Sequence, residues 1–321
     1  IFVAESDESD GSFQDMRPEV AIVTNLDHEH LRHYGTFDRL LDTFRAWLST
    51  IPPGGLVVLP TSGPAAGLGQ GLACRVVHVG LGEGEVHARD LELGPEGSRL
   101  TVIADGLPIG PLSVPVPGVH MAQNALMAVA AARHVVPEVR TEALATCERV
   151  SRRFTVHGIP RGVRVVEDYG HHPTEIRATI AAARLGGGRV HVLFQPHRYS
   201  RTVDCFDDFV GAFDQAASVV VAPIYAASEA PIAGASASAL ADAIAVRRRL
   251  AGETGPVVAV VEISAGVERI ADLARPGDTV LVLGAGDVGK AAPALVRVLA
   301  AEGGDAPTGQ AYLAALAGVG P

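Results

Sequence analysis

A chain of 321 residues, 48% hydrophobic and 19% charged, has a globular rather than a disordered composition, and its length suits two domains. A formal net charge of -10 excludes a broad basic surface and with it general nucleic-acid binding, so anionic substrates would have to meet local arginines. The three cysteines form neither a disulfide framework nor a zinc spacing, no apolar run is long enough to span a membrane and no signal peptide is visible; together these predict the cytoplasm.

In chain order, IFVAE reads as a buried strand end and VAIVTN (20–25) as a second strand. Apolar residues at Phe37, Leu40, Leu41, Phe44, Trp47 and Leu48 recur at helical spacing and predict a helix ended by PPGG. GLVVLP follows as a strand. The runs ACRVVHVG, RLTVIAD and LSVPVPG, split by glycines, predict a small side sheet within 71–117, and Met121 to Val135 is an alanine-rich helix. A second cycle begins near Ser151. Its expected strands are VRVVEDYG, RVHVLFQP, SVVVAPIY, VVAVVEI and DTVLVLGAG. Between and after them lie expected helices over 174–184, 204–216, 237–250, 267–273 and 288–300. Such alternation predicts an α/β fold with a parallel, doubly wound sheet. The domain boundary is expected within 137–152, and residues 302–321, rich in Gly, Ala and Pro, form an expected flexible tail. Residue 1 is isoleucine at the start of an expected strand, so the chain reads as a fragment with sequence upstream.

Several polar strings follow strand ends, where open α/β sheets bind ligands. ESDESD (5–10) can hold Mg2+ through carboxylates or be a solvated acidic turn. TNLDHEH (24–30) gathers acids and histidines that suit a metal, or a polar loop and helix cap. In EDYGHHPTEI (167–176) a glycine turns the chain, two histidines follow, and Thr174 can cap a helix whose N-terminus can receive an anion. FQPHRYSRT (194–202) clusters His197, Arg198 and Arg201, and arginine forks match carboxylate and phosphate geometry; a surface ion-pair cluster is the plainer reading. An arginine of RRF (152–154) can reach a phosphate or simply pair with an acid. GAGDVGK (284–290) carries the only lysine of the chain, Lys290. A P-loop would need Ser or Thr after that lysine, and Ala291 stands there. Gly284, Gly286 and Gly289 fit a tight strand–helix turn better, and the dinucleotide reading has no acidic residue at a convincing ribose position.

Taken in order, AESDESDGSF, TNLDHEH, GVHMAQNALMAVAAA, SRRF, EDYGHHPTE, FQPHRYSRT, YAASEAPIAG and GAGDVGK resemble the Mur ligases, and among them the family that adds L-alanine to UDP-N-acetylmuramate. The resemblance covers about residues 1–300. It implies the remainder of a P-loop-type central ATPase domain (1-150) and a Rossmann-like doubly wound C-terminal domain (151-301). The family's P-loop and its N-terminal domain would lie upstream of Ile1, so the chain alone is expected to be inactive. The implied reaction is ATP-dependent amide-bond formation through an acyl phosphate in peptidoglycan precursor synthesis, with UDP-N-acetylmuramate and L-alanine as partners, ATP and Mg2+ as cofactors, and neither nucleic acid nor membrane involved.

Residue by residue, the resemblance implies Mg2+ binding by Glu5 and His30 and adenine contacts by His120 and Asn124. It implies nucleotide contacts by Arg153 and Asp168, and a face for L-alanine and the reacting carboxylate from Tyr169, His171, Arg198 and Arg201. His171, Arg198 and Arg201 are the implied catalytic residues, with His172 and His197 nearby. Departures from the family pattern are Glu29 for an aspartate, Met121 for an asparagine, and Ser6 and Gly11 for alanines. Alternatives are a muropeptide-recycling ligase that adds a tripeptide, and a non-catalytic relative.

Overall fold

The structure is a computed structural model that describes residues 1–136, 138–148 and 150–301. The expected tail, 302–321, lies outside these. The described chain divides into two compact α/β units: one of Ile1–Leu93, Gly97–Pro115 and Val119–Cys147, the other running from Glu148 onward with two short segments, Gly94–Glu96 and Val116–Gly118.

The first unit is built on one six-stranded sheet in the order β1 to β6: β1 (Val20–Ile22), β2 (Leu56–Pro60), β3 (Arg75–Gly80), β4 (Val86–Gly94), β5 (Gly97–Ala104) and β6 (Leu107–Val114). Its helices are α1 (Leu31–Tyr34), α2 (Phe37–Leu48) and α3 (Val119–Val135). Neighbours β1 to β4 run parallel, and β5 pairs antiparallel with β6. Strand alternation explains the two layers of helix. Leu56 and Val58 of β2 join a core with Ala122, Leu126 and Val129 of α3, whereas Val57 and Leu59 join another with Leu40, Phe44 and Leu48 of α2. α2 spans the interval its apolar spacing predicts, and Thr36 caps it by accepting from Arg39 N at 3.2 Å. Alanines on α3 allow a close approach to the sheet, and Gln123 Nε2 donates to Val79 O at 2.7 Å.

Two expectations fail in this unit. The strands of 71–117 are not a side sheet: β3 pairs with both β2 and β4, so pairing continues unbroken across all six strands. IFVAE is neither buried nor a strand. β1 is the last strand on its side of the sheet, and Ile1, Phe2 and Val3, with no strand beyond β1 to pack on among the described residues, are 96%, 91% and 87% exposed.

The second unit has the strands β7 (Thr155–Gly158), β8 (Arg164–Asp168), β9 (Val190–Phe194), β10 (Ser218–Val221), β11 (Val257–Ala259) and β12 (Thr279–Leu283) in the order β11-β10-β9-β12-β8-β7. All pairings are parallel except β7 with β8. Its helices are α4 (Pro173–Arg184), α5 (Tyr199–Asp204), α6 (Phe206–Ala212), α7 (Ala237–Leu250), α8 (Ile263–Leu273) and α9 (Ala291–Ala301). β9, β10 and β12 are buried along their whole length, as inner parallel strands covered on both faces must be. Leu193, Val220, Val280 and Val282 face α8 and α9, while Phe194 meets Phe209 and Phe213 at 5.6 and 5.2 Å between centroids.

The helix expected over 204–216 is instead two helices over 199–212 that bend at Cys205. Thr202 Oγ1 donates to Arg198 O at 2.8 Å, and Thr202, Cys205 and Phe209, at i, i+3 and i+7, are all buried. Because β8, β9, β10 and β12 are parallel, the loops 169–172, 195–198, 222–229 and 284–290 gather at one edge.

Candidate functional site

In the first unit the acidic string 5–10 folds as a loop tightened by Asp7 and Asp10, which accept from Ser9 N at 2.7 Å and Ser12 N at 2.9 Å. Phe13 anchors it, stacked on Phe44 at 4.6 Å and edge-on to Trp47 at 5.2 Å. The buried Tyr34 hydroxyl donates to Glu8 O; burial, with Glu8, Asp10 and Asp7 nearby, pushes its pKa up to about 12. Gly11 has φ 77, and a Cβ there would meet His33 Nε2 at 2.9 Å, so the alanine usual in the family would be strained here.

This fold brings His30 Nε2 within 3.6 Å of both Glu8 Oε1 and Glu29 Oε1, with all three ligand atoms inside 4.8 Å of one another. Two carboxylates and an imidazole fit a divalent cation; the carboxylates suit Mg2+, and the imidazole leans toward Mn2+. Of the two expected metal ligands, the cluster holds His30 but not Glu5, which stays exposed. Glu8, to which the sequence gave no separate role within the acidic string, is the acid of that string beside His30. His120 and Asn124 are exposed one turn apart at the start of α3 and so share a face; Met121, between them, packs against the core.

In the second unit the β8 end is a network of arginines and acids. Arg152 Nε donates to Glu167 Oε1 at 2.9 Å, its Nη2 donates to Gly284 O at 2.6 Å, and its Cζ lies 4.8 Å from the Tyr169 ring centroid. Arg153 is more exposed, with Nη1 3.8 Å from Glu175 Oε1. Asp168 is buried and accepts from Phe154 N and Gly170 N, each at 2.8 Å; burial pushes its carboxyl above the usual carboxylate range despite those donors. Both its oxygens are thus already engaged within the chain, Oδ1 by Gly170 N and Oδ2 by Phe154 N.

The cap of α4 is His172, not Thr174. His172 Nδ1 accepts from Thr174 N, and Glu175 Oε2 accepts from His171 N and His172 N at 2.9 and 3.0 Å, closing a capping box. The helix terminus that the sequence offered to an anion is therefore filled by Glu175. Burial opposes ionisation of Glu175, but His171, the two N–H donors and Arg153 outweigh it and hold its pKa below the ordinary value.

Beside this, Tyr169, His171, His197 and Tyr225 form a run of rings with successive centroids 5.2, 5.7 and 5.6 Å apart. Arg201 Nη1 lies 3.3 Å from His197 Nδ1. Burial, then the nearby His171, Arg201 and Arg198, pushes the His197 pKa down to about 4, so its ring is neutral at pH 7. Arg198 Nη1 is 3.6 Å from Glu229 Oε1. The structure thus gathers Tyr169, His171, Arg198 and Arg201 at one edge and adds Glu229 and Tyr225, to which the sequence assigned no role although both lie in the YAASEAPIAG string.

The GAGDVGK turn is closed by the protein's own side chains. Val288 N donates to Gln195 Oε1 at 3.0 Å and Gln195 Nε2 to Asp287 Oδ1 at 2.8 Å. A Cβ on Gly286 would run into Gln195 Oε1 and Tyr225, and one on Gly289 into Glu167 Oε1. The glycines admit these neighbours, as a structural turn requires, and Lys290 is exposed.

Two α/β units on mixed, mainly parallel six-stranded sheets, with arginines, histidines and carboxylates at strand ends, have an architecture that suits the binding of phosphate and carboxylate groups. Comparison with known proteins narrows this class. The profile of the Mur ligase middle domain matches residues 2–132, and that of the Mur ligase, glutamate ligase domain matches residues 152–286. The chain belongs to the Mur ligase family. It is 41% identical over 308 residues to the UDP-N-acetylmuramate–L-alanine ligase of Solibacter usitatus, covering 94% of this chain and 64% of that protein. It is 40% identical over 321 residues to the ligase of the same name from Phenylobacterium zucineum, covering 95% and 66%. The chain therefore spans just under two thirds of these relatives. The crystal structure of the UDP-N-acetylmuramate–alanine ligase of Thermotoga maritima superposes with a TM-score of 0.69 at 25% identity, covering 91% of this chain and 62% of that one.

Proposed function

We propose that the chain is the central and C-terminal part of a cytoplasmic ATP-dependent ligase that joins L-alanine to UDP-N-acetylmuramate. Residues 1-150 are assigned to the ATP-binding domain and 151-301 to the C-terminal domain. Similarity to the alanine-adding ligases over 94% of the chain carries the reading, and the arginine–histidine face at the β8, β9 and β10 ends supports it.

In this reaction the muramate carboxylate attacks the γ-phosphate of ATP, ADP leaves, and an acyl phosphate forms. The alanine amine then attacks the acyl carbon, and inorganic phosphate and a proton leave. Arg198 and Arg201 are proposed to steady the negative charge of the acyl phosphate and the tetrahedral intermediate. Neutral His197 buttresses Arg201, and Tyr169 and His171 shape the alanine-facing side. Arg153 and Asp168 face the nucleotide, Asp168 acting by fixing the Phe154 and Gly170 backbone, and His120 with Asn124 face the adenine. Glu8, Glu29 and His30 would hold the metal, with Glu5 as a further ligand; Mg2+ bound there neutralises phosphate charge.

The test is phosphate release by protein expressed from its complete reading frame. Release that requires both UDP-N-acetylmuramate and L-alanine is expected. Release with a tripeptide but not L-alanine moves the assignment to a muropeptide-recycling ligase, and release with neither refutes it.

A further inference from the structure

The loop that follows β10 holds a carboxylate that touches the proposed catalytic arginine. Glu229 Oε1 lies 3.6 Å from Arg198 Nη1 and accepts from Ser200 Oγ at 2.6 Å, while Oε2 accepts from Ser200 N at 2.9 Å. The same loop supports Arg198 through the backbone. Arg198 N donates to Tyr225 O and Tyr225 N to Pro196 O, each at 2.8 Å, and His197 and Tyr225 pair as a parallel bridge. Three residues of this contact hold positive φ: Arg198 at 72, Ala227 at 48 and Ser228 at 69. Non-glycine residues rarely adopt that region and persist there only where surrounding contacts over-determine them. Half of the Arg198 side chain is exposed, whereas Glu229 is 23% exposed, so the acid is the fixed partner and the arginine the one being aimed.

Resting on the ligase reading above, we propose that Glu229 is a positioning residue. It fixes the Arg198 guanidinium at the strand edge and holds the start of α5 by its second oxygen, so the arginine meets developing charge without first having to be ordered. Exposed arginine side chains lose substantial rotamer freedom when fixed in place. The ion pair meets part of that loss before substrate arrives. A merely structural Glu229 would act only as the acceptor for Ser200.

Glu229→Gln separates the two roles, because its amide oxygen still accepts from Ser200 N and its NH2 can donate to the Ser200 hydroxyl, while the charge facing Arg198 is gone. In the complete protein, Glu229→Gln is expected to lower kcat at least about tenfold with a smaller change in KM for L-alanine. Its thermal midpoint stays near that of the wild type. The double variant Glu229→Gln/Arg198→Ala is expected to be no slower than Arg198→Ala alone, since the residues act as one unit. An arginine side-chain NMR signal, assigned by its loss in Arg198→Lys, provides a readout independent of turnover: resolved in the wild type, averaged in Glu229→Gln. A variant with wild-type kcat, additive effects in the double variant, or an unchanged Arg198 signal overturns the proposal. A wild type that ligates no alanine refutes the ligase reading instead, and the NMR comparison still decides whether Glu229 orders Arg198.

Discussion

Asp278 is the sharpest test of how the second unit is held together. It is 5% exposed just before β12, at the amino edge of the sheet and opposite the candidate site. Its carboxylate accepts from Arg189 N at 3.0 Å, Arg189 Nη2 at 2.9 Å, Arg275 N at 2.9 Å and His191 Nε2 at 3.1 Å. His191 Nδ1 in turn faces Ser218 Oγ at 2.8 Å. Burial alone would raise the Asp278 pKa; the donors from Arg189, His191 and Arg275 outweigh it and hold it at about 2, below the ordinary 3.8. The carboxylate therefore contributes about 2 kcal/mol, fully present above the unfolded value and lost as pH falls from about 4 through about 2, because the unfolded chain takes up the proton first. Burial also keeps His191 below its ordinary 6.5, so an earlier loss begins as pH falls through that value. Asp278→Ala removes the charge and leaves the buried His191 and two backbone donors without their acceptor, for an expected cost of about 3–5 kcal/mol at pH 7. Hydrogen exchange of β9 and β12 amides reads this unit. Trp47, the only tryptophan, lies in the first unit, and its fluorescence transition is expected to stay where it is. A cost below about 1 kcal/mol, or a wild type whose stability is flat between pH 4 and 2, would refute the reasoning.

Phe13→Ala removes a side chain that is 2% exposed and packed on Phe44 and Trp47, and is expected to cost about 3–5 kcal/mol in urea unfolding followed by Trp47 fluorescence; a loss under about 1 kcal/mol contradicts it. Gly286→Ala drives a methyl into Gln195 and Tyr225 and is expected to cost about 1–3 kcal/mol by calorimetry, with an unchanged melting curve contradicting the packed-turn account. Proton NMR of His197 is expected to show a midpoint near pH 4; titration near 6.5 would mean that the ring is not buried among cations. In Mn2+ binding followed by electron paramagnetic resonance, Glu8→Gln is expected to weaken the ion about tenfold more than Glu5→Gln, and the reverse order restores Glu5 as the principal ligand.

Hydrophobic periodicity is a local property, and it determined the local elements. The bounds of α2 and α7 coincide with the spacing of their apolar residues, and the runs of β-branched residues in β8, β9, β10 and β12 mark inner strands. The ordered strings of acids, histidines and arginines likewise sufficed to recognise the family, because they depend on residue identity and order. What only the tertiary structure decided are matters of pairing across long sequence separations. Strands 71–117 joined the main sheet through the pairing of β3 with both β2 and β4, and Ile1–Val3 are exposed, with no strand beyond β1 among the described residues. The α4 cap passed to His172 once Glu175 could reach back to its backbone. Among the neighbouring arginines of RRF, Arg152 was drawn inward by Glu167 and by carbonyls 132 and 134 residues away, leaving Arg153 the more exposed. Glu8 is the acid of the 5–10 string that lies beside His30, where the Asp7 and Asp10 turns and the Tyr34 bond to Glu8 O shape the loop. A single strand-end string names the residues available for chemistry; which of them face one another is set by loops from different strands meeting at one sheet edge, a non-local free-energy balance that no local pattern encodes.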